Sequence, residues 1–195
     1  MKMIIMDDKK IEKRIMVPDN LDVQIDDKRI TIKGPMGQIS KDFSDPRFSK
    51  RISIGRSGNE ISIVADSNEK KIRSLCGTIA AHARNMIGGA TSGYKYKMKV
   101  FYTHFPITIS VKDKEVQIRN FVGEKGARTA RIIGNAEVNV GKDELEIVGV
   151  SIEDVGQTAA NIEQACKITK RDRRVFQDGV YLTGKYLETG ERIKG

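Results

Sequence analysis

The chemistry-bearing residues of this chain gather in two cationic clusters. One is Lys125, Arg128 and Arg131, spaced three apart beside Gly123 and Gly126. The other begins at Lys167 and runs through Lys170, Arg171, Asp172, Arg173 and Arg174. Guanidinium forks take a phosphate through two parallel hydrogen bonds, and glycine lets backbone amides come close to an anion. Contacts of this kind fix position on a nucleic-acid backbone without reading base sequence. Phe121, Phe176 and Tyr181 lie in or beside the same stretches and are candidates for stacking on splayed bases. Packing within a sheet is the other use of such side chains.

Other chemistry lacks its residues. Gly88-Gly89-Ala90-Thr91-Ser92-Gly93 has the glycines of a phosphate loop but no lysine, and reads as a hinge. The two histidines, His82 and His104, are far apart in sequence, and neither has a second ligand at zinc spacing. No Ser or Cys has an evident base. Asp178-Gly179 reads as a hairpin turn, and nothing beside Asp178 would raise its pKa. These patterns point to no catalytic residue, metal, cofactor or small-molecule substrate.

Composition agrees with a polyanion partner. Lys and Arg total 35 against 26 Asp and Glu, a formal net charge of +9 and a pI near 9.5. Such a balance suits nucleic acid. No apolar run approaches the roughly 18 residues of a membrane span, so no membrane partner is expected. The first eight residues lack the apolar core and cleavage pattern of a signal peptide. Two cysteines, Cys76 and Cys166, suit a reducing compartment and read as small core residues.

The elements that must position the cations come in two copies. Pro18, Val23, Ile30, Ile32 and Gly37 are echoed by Pro106, Val111, Val116, Ile118 and Gly123. Glu60-Ile61-Ser62-Ile63-Val64 is echoed by Glu144-Leu145-Glu146-Ile147-Val148, some 85 residues on. In the first copy, strands around 23–25 and 30–32 precede the turn Gly34-Pro35-Met36-Gly37. A hairpin follows over 52–54 and 61–63. Asp66 and Glu69 form a capping box for a helix whose buried stripe is Ile72, Cys76, Ile79, Ala83 and Met86, ending at Gly88-Gly89. Tyr94 to Val100 alternates strictly, with Lys95, Lys97 and Lys99 on one side, and leads into the second copy. There, strands at 107–111, 116–118, 138–140 and 145–147 repeat the plan. Ser151 caps a helix with stripe Val155, Ala159, Ile162 and Cys166. The expected fold is α+β: two duplicated small domains, 1–90 and 91–195, each a mostly antiparallel sheet with one helix packed on it.

What one copy alone carries is the candidate for function. With Gly37 set on Gly123, Lys125, Arg128 and Arg131 fall on Ile39, Asp42 and Asp45. With Glu60 set on Glu144, Lys167, Lys170, Arg171, Arg173 and Arg174 fall on Ala83, Met86, Ile87, Gly89 and Ala90. Strand-edge protection or complementing a helix C-terminus would each use some charge. One or two cations suffice for the latter, whereas residues 170–174 hold four. Charge also segregates along the second half: net +6 over residues 95–131, −6 over 137–163 and +4 over 167–195. A bipolar unit of this kind orients itself on a polyanion.

Several stretches resemble one family in order along most of the chain. They are Lys33-Gly34-Pro35-Met36-Gly37, the segment from Asn85 to Met98, His104-Phe105-Pro106-Ile107, Ile118 to Lys125, and Gln164 to Lys185 with its Arg174-Val175-Phe176-Gln177-Asp178-Gly179-Val180-Tyr181. Together they are similar to the large-subunit ribosomal protein family numbered six in the universal scheme (called L-nine in eukaryotes), in its archaeal and eukaryotic form. The resemblance implies two duplicated α+β domains and no catalysis. It implies that the second domain, the main rRNA-binding unit, docks on large-subunit rRNA near the sarcin–ricin loop and the stalk base, where translation factors land. It implies neighbouring large-subunit proteins as further partners, and a cytoplasmic, ribosomal location. Lys185 joins the cations already named as an rRNA-binding residue. Eukaryotic members carry a tryptophan-containing basic stretch ahead of the first helix. Here Val64-Ala65-Asp66-Ser67-Asn68 stands there and the chain has no Trp, which points to the archaeal type.

The expected function is that of a structural ribosomal protein. A free-standing RNA-binding regulator built from the same two domains is an alternative, separated by co-sedimentation with large subunits. A nucleic-acid-modifying enzyme is a second, opposed by the missing nucleophile and metal residues.

Overall fold

In the computed structural model of the chain, the described residues are 11–44, 51–67, 69–103, 105–169, 172 and 174–193. They divide into two compact units, one ending at Thr91 and the other starting at Ser92.

The first unit holds two three-stranded antiparallel sheets and a helix. β2 (Asp22–Asp26), β3 (Arg29–Gly34) and β4 (Gly37–Asp42) form one meander. β1 (Ile11–Met16), β6 (Glu60–Ala65) and β5 (Ile52–Ser57) form the other, with β6 central. The alternation of β3 and β6 sends Ile30, Ile32, Ile61 and Ile63 fully inside, as period-two strands with one covered face require. β1 was not legible in the sequence, since Ile11, Ile15 and Val17 are interrupted by charge at Glu12, Lys13 and Arg14. Pairing with β6 over its whole length makes it a strand.

α1 (Lys70–Ser92) lays Ile72, Cys76, Ile79, Ala83, Met86 and Ala90 into this core, the expected stripe extended by one turn. Its two ends differ from expectation. Ser67 rather than Asp66 serves the N-terminus, its Oγ accepting from Glu69 N–H at 3.3 Å, while the Glu69 carboxylate meets Arg51 at 3.2 Å. The helix also runs through Gly88-Gly89 to Ser92 and stops before Gly93, whose φ is +64°. The extra turn has a partner: Met36 N–H, in the β3–β4 turn, donates to the Ala90 carbonyl at 3.2 Å. Tertiary contact outweighs the roughly 1 kcal/mol that each helical glycine costs.

The second unit repeats the plan and adds a strand. β8 (Thr108–Lys112), β9 (Glu115–Arg119) and β10 (Arg128–Arg131) form a meander with β9 central. β7 (Tyr94–Phe101), β11 (Glu137–Val140), β12 (Glu144–Gly149) and β13 (Gly179–Leu187) form a sheet in the order β11-β12-β7-β13. β7 therefore does more than lead from one copy to the next. It takes the place of β1, paired with β12 as β1 is with β6, and β13 covers its other edge with an irregularity between Leu182 and Gly184. α2 (Ile152–Ala165) is capped by Ser151, whose Oγ accepts from Asp154 N–H at 3.2 Å, as expected. Val155, Ala159 and Ile162 pack on the sheet, and Cys166 is buried at its C-cap. The fold is α+β, with sheet and helix twice over. Among the described residues no helix is long and apolar enough to cross a membrane.

Strand pairing corrects the register between the copies. β2–β3 and β8–β9 superpose at an offset of 86, since Asp22 faces Lys33 as Thr108 faces Arg119. β4 and β10 do not. Ile32 faces Ile39, but Ile118 faces Arg128; Arg29 faces Asp42, and Glu115 faces Arg131. The offset here is 89, because the turn before β10 is three residues longer. Arg128 therefore stands on Ile39 and Arg131 on Asp42. The Asp178-Gly179 hairpin does not form either: Gly179 is the first residue of β13, and Asp178 is buried.

Candidate nucleic-acid interface

Pleating decides what each cation of β10 does. Arg128 and Ala130 point to the core side and Arg131 to solvent. Arg128 is held within the unit. Its Nε and one terminal nitrogen donate to the two Glu124 carboxylate oxygens at 2.8 and 2.6 Å. The other terminal nitrogen donates to the carbonyls of Ala165 and Lys167 at 2.8 and 3.0 Å. The guanidinium lies 4.3 Å from the centre of the Phe121 ring. Hydrogen bonding to Glu124 holds the Arg128 pKa above its ordinary value, against partial burial.

This arrangement revises two expectations. Arg128 has its donors committed inside the unit, so it positions the surface rather than presenting a free fork. Phe121 is 0% exposed, so it offers no face to a base and belongs to the core. What Arg128 does is join the clusters. It ties the turn before β10 to the carbonyls that end α2, and so brings the loop carrying Lys125 beside the segment carrying Lys167. The turn itself is tightly wound. Asn120, Val122 and Gly123 all have positive φ, near 57°, 52° and 76°, and for a β-branched valine this is a strained state of the kind that clusters at functional sites.

Lys125, Arg131, Lys167, Arg174 and Lys185 are exposed. The first four make no side-chain ion pair among the described residues. Lys185 Nζ lies 5.5 Å from the centre of the Tyr96 ring. Lys170, Arg171 and Arg173 lie outside the described residues. α2 ends at Ala165 with no basic residue in its last turn. Cation support for that helix terminus comes from Arg128 instead. Phe176 is half-buried against the core, and Tyr181 is 44% exposed. The lysines of β7 are largely spoken for: Lys95 and Lys97 both meet Glu146 of β12, at 3.3 and 3.2 Å. The hydrogen bond from Lys97, aided by Lys95, lowers the Glu146 pKa.

Sequence reasoning missed three exposed aromatics, Phe101, Tyr102 and Phe105. Their signal was weak, since Phe101 falls on the lysine side of the alternating strand and the other two follow it in a loop without a pattern of its own. Among the described residues no group of three or more His, Cys, Asp and Glu is placed to hold a metal ion.

Fold and surface together define a duplicated α+β scaffold whose second unit carries exposed cations at the turn before β10 and beyond the end of α2, and exposed aromatics at the end of β7 and just after it. The family described as Ribosomal protein L6 matches residues 105–179, the stretch that contains this surface. A protein of Desulfurococcus amylolyticus is 46% identical over 185 residues, 94% of this chain and 97% of its own. One of Methanocella arvoryzae is 45% identical over 174 residues, 89% and 96%. One of Methanothrix thermoacetophila is 45% identical over 176 residues, 90% and 98%. Each of the three is named Large ribosomal subunit protein uL6. The chain belongs to the ribosomal protein L6 family, in keeping with the expected archaeal type.

Proposed function

We propose that this chain is a structural protein of the large ribosomal subunit in the cytoplasm, and that its second unit, within 91–195, is the main rRNA-binding part. The carrying observation is the Arg128 bridge. By binding Glu124 on one side and the Ala165 and Lys167 carbonyls on the other, it ties the loop that carries exposed Lys125 to the backbone that carries exposed Lys167. Lys125, Arg131, Lys167, Lys170, Arg171, Arg173, Arg174 and Lys185 then neutralise phosphates of folded rRNA. Docking is by charge and shape, with counterion release as its driving term. Family resemblance puts the RNA partner near the sarcin–ricin loop and the stalk base. The first unit holds orientation and meets neighbouring large-subunit proteins or the factor-binding region.

A titration of the full chain with transcribed large-subunit rRNA, repeated at several salt concentrations, tests this. The expected result is a steep fall of affinity with salt. Replacing Arg171, Arg173 and Arg174 together by Ala should weaken binding strongly and flatten the slope. Unchanged affinity and slope in that variant would overturn the reading, as would failure of the protein to travel with large subunits in a sucrose gradient.

A further inference from the structure

Among the described residues the second unit carries most of the exposed large apolar side chains, and several of them sit together with cations. Phe101, Tyr102, Phe105 and Tyr181 are 44%, 44%, 43% and 44% exposed. Phe101 and Tyr181 face each other with ring centres 5.9 Å apart and planes tilted by 55°. Lys99 Nζ is 5.5 Å from the centre of the Phe101 ring. The Phe105 ring lies against Gly123, where a Cβ would come within 3.3 Å of it; the loop that carries Lys125 thus seats this aromatic. Asn120 fixes the same segment by donating from Nδ2 to the Pro106 carbonyl at 3.1 Å.

The backbone between these rings is anchored from inside. Thr103 N–H donates to Asp178 Oδ1 at 2.9 Å, and Asp178 is 1% exposed. A buried carboxylate on a backbone amide costs desolvation unless that bond is worth keeping. Here it ties Thr103 to the residue that precedes β13, the strand that carries Tyr181. Exposed aromatics held in place lose little freedom on binding.

We propose that Phe101, Tyr102 and Phe105, with Tyr181, form a stacking platform for unpaired nucleotides of the RNA that the neighbouring cations dock. The proposal rests on the phosphate-docking reading above and adds base contact to it. Aromatic faces between phosphate-binding cations are the common design for holding unstacked RNA bases. A protein partner fits less well, because the cores of protein interfaces are depleted in lysine, and Lys99, Lys125 and Lys167 punctuate this surface. Asp178 is a positioning residue for the platform.

Two ligands separate stacking from charge: transcribed large-subunit rRNA, and heparin, a polyanion without bases. Replacing Phe105 and Tyr102 by Ala in the full chain should lower rRNA affinity about tenfold or more. The salt slope and the heparin affinity should stay unchanged. Replacing Lys125 and Lys167 should lower both affinities and flatten the slope. Because the chain has no Trp, Phe105→Trp supplies a single fluorescent reporter, which rRNA should quench and heparin should leave bright. Asp178→Ala should reduce that quenching, while Asp178→Asn, which keeps the acceptor oxygen, should retain it. Wild-type rRNA affinity in the aromatic variant, an equal loss toward heparin, or an indole left unquenched by rRNA in the Phe105→Trp protein would each overturn the platform while leaving phosphate docking intact. A wild-type protein that binds rRNA with no salt dependence would overturn the docking reading first. Normal rRNA binding with failed incorporation into large subunits would assign the aromatics to a protein neighbour and overturn the platform.

Discussion

Arg128 occupies in the second unit the strand position that Ile39 occupies in the first: each lies opposite the matching isoleucine, Ile118 or Ile32. Where the first unit has an apolar side chain, the second has a guanidinium that lies over the Phe121 ring and spends its nitrogens on Glu124 and the end of α2. Replacing Arg128 by Ala should therefore destabilise the second unit by about 2 kcal/mol, from the lost charged hydrogen bonds and the uncovered ring. Arg128→Leu should cost less, because it restores apolar cover of the kind Ile39 provides. Urea unfolding of the three proteins ranks them; equal stability of Ala and wild type would show the bridge to be inert.

The surface cations should separate from Arg128 in their salt response. Lys125→Ala, Lys167→Ala and Arg174→Ala should each weaken rRNA binding and reduce the slope of log affinity against log salt by about 1. Arg128→Ala should weaken binding by loosening the surface, with a smaller change of slope. A slope change as large for Arg128 as for Lys125 would mean that its guanidinium reaches the RNA after all.

Burial pushes the Cys166 thiol up to about 11, against smaller lowering by the Val180 backbone and Arg128. In the unfolded chain a thiol ionises near about 8.5. The native state thus binds a proton that the unfolded state releases, so this contribution to stability is whole below that lower pKa and drains away as pH rises toward about 11. Unfolding free energies across this alkaline range should fall more steeply for the wild type than for Cys166→Ala. The folded protein should also leave Cys166 unreactive to iodoacetamide at about pH 8, and urea should expose it. Fast alkylation of native Cys166 would contradict the burial.

Glu146 works in the opposite direction. Its pKa is lowered by the Lys97 hydrogen bond, with Lys95 assisting, so the stabilising contribution is present above the ordinary carboxylate pKa and is lost as pH falls through the lowered value. Acid unfolding followed by circular dichroism should show a smaller drop in stability below about pH 4.3 for Glu146→Gln than for wild type. The pair is half-exposed, so the difference should be modest.

Ser151→Ala tests the cap of α2. It should cost about 1 kcal/mol, since the Asp154 N–H loses its acceptor. A thermal shift of a few degrees is the expected readout.

Much of the fold was written in local pattern. Period-two apolar residues marked β2, β3, β5, β6, β9 and β12. The 3-to-4 stripes of Ile72 to Met86 and Val155 to Ile162 marked both helices, and Ser151 announced its own cap. These follow from side-chain direction within one element, which depends only on near neighbours in sequence. The repeat also showed that the scaffold does not need those cations, because one copy folds without them.

Register and burial were decided only in three dimensions. Three extra residues in the turn before β10 move Arg128 from an expected aspartate position to that of Ile39, and a single-residue change of register reverses the face of a strand. So sequence alone grouped Lys125, Arg128 and Arg131 as one phosphate-binding set, while pleating turned Arg128 inward and left Arg131 outside. In the same way Phe121, a candidate for either stacking or packing, is fully buried, whereas Phe105 is exposed and lies against Gly123, a contact that no local pattern announces. α1 ran past its glycines because Met36, more than fifty residues earlier in the chain, supplied a donor for Ala90. Composition and spacing established that this chain is basic and duplicated, with its cations clustered in stretches of the second half. Long-range pairing alone settled which side chains face outward, because it is set by contacts between residues that no local window contains.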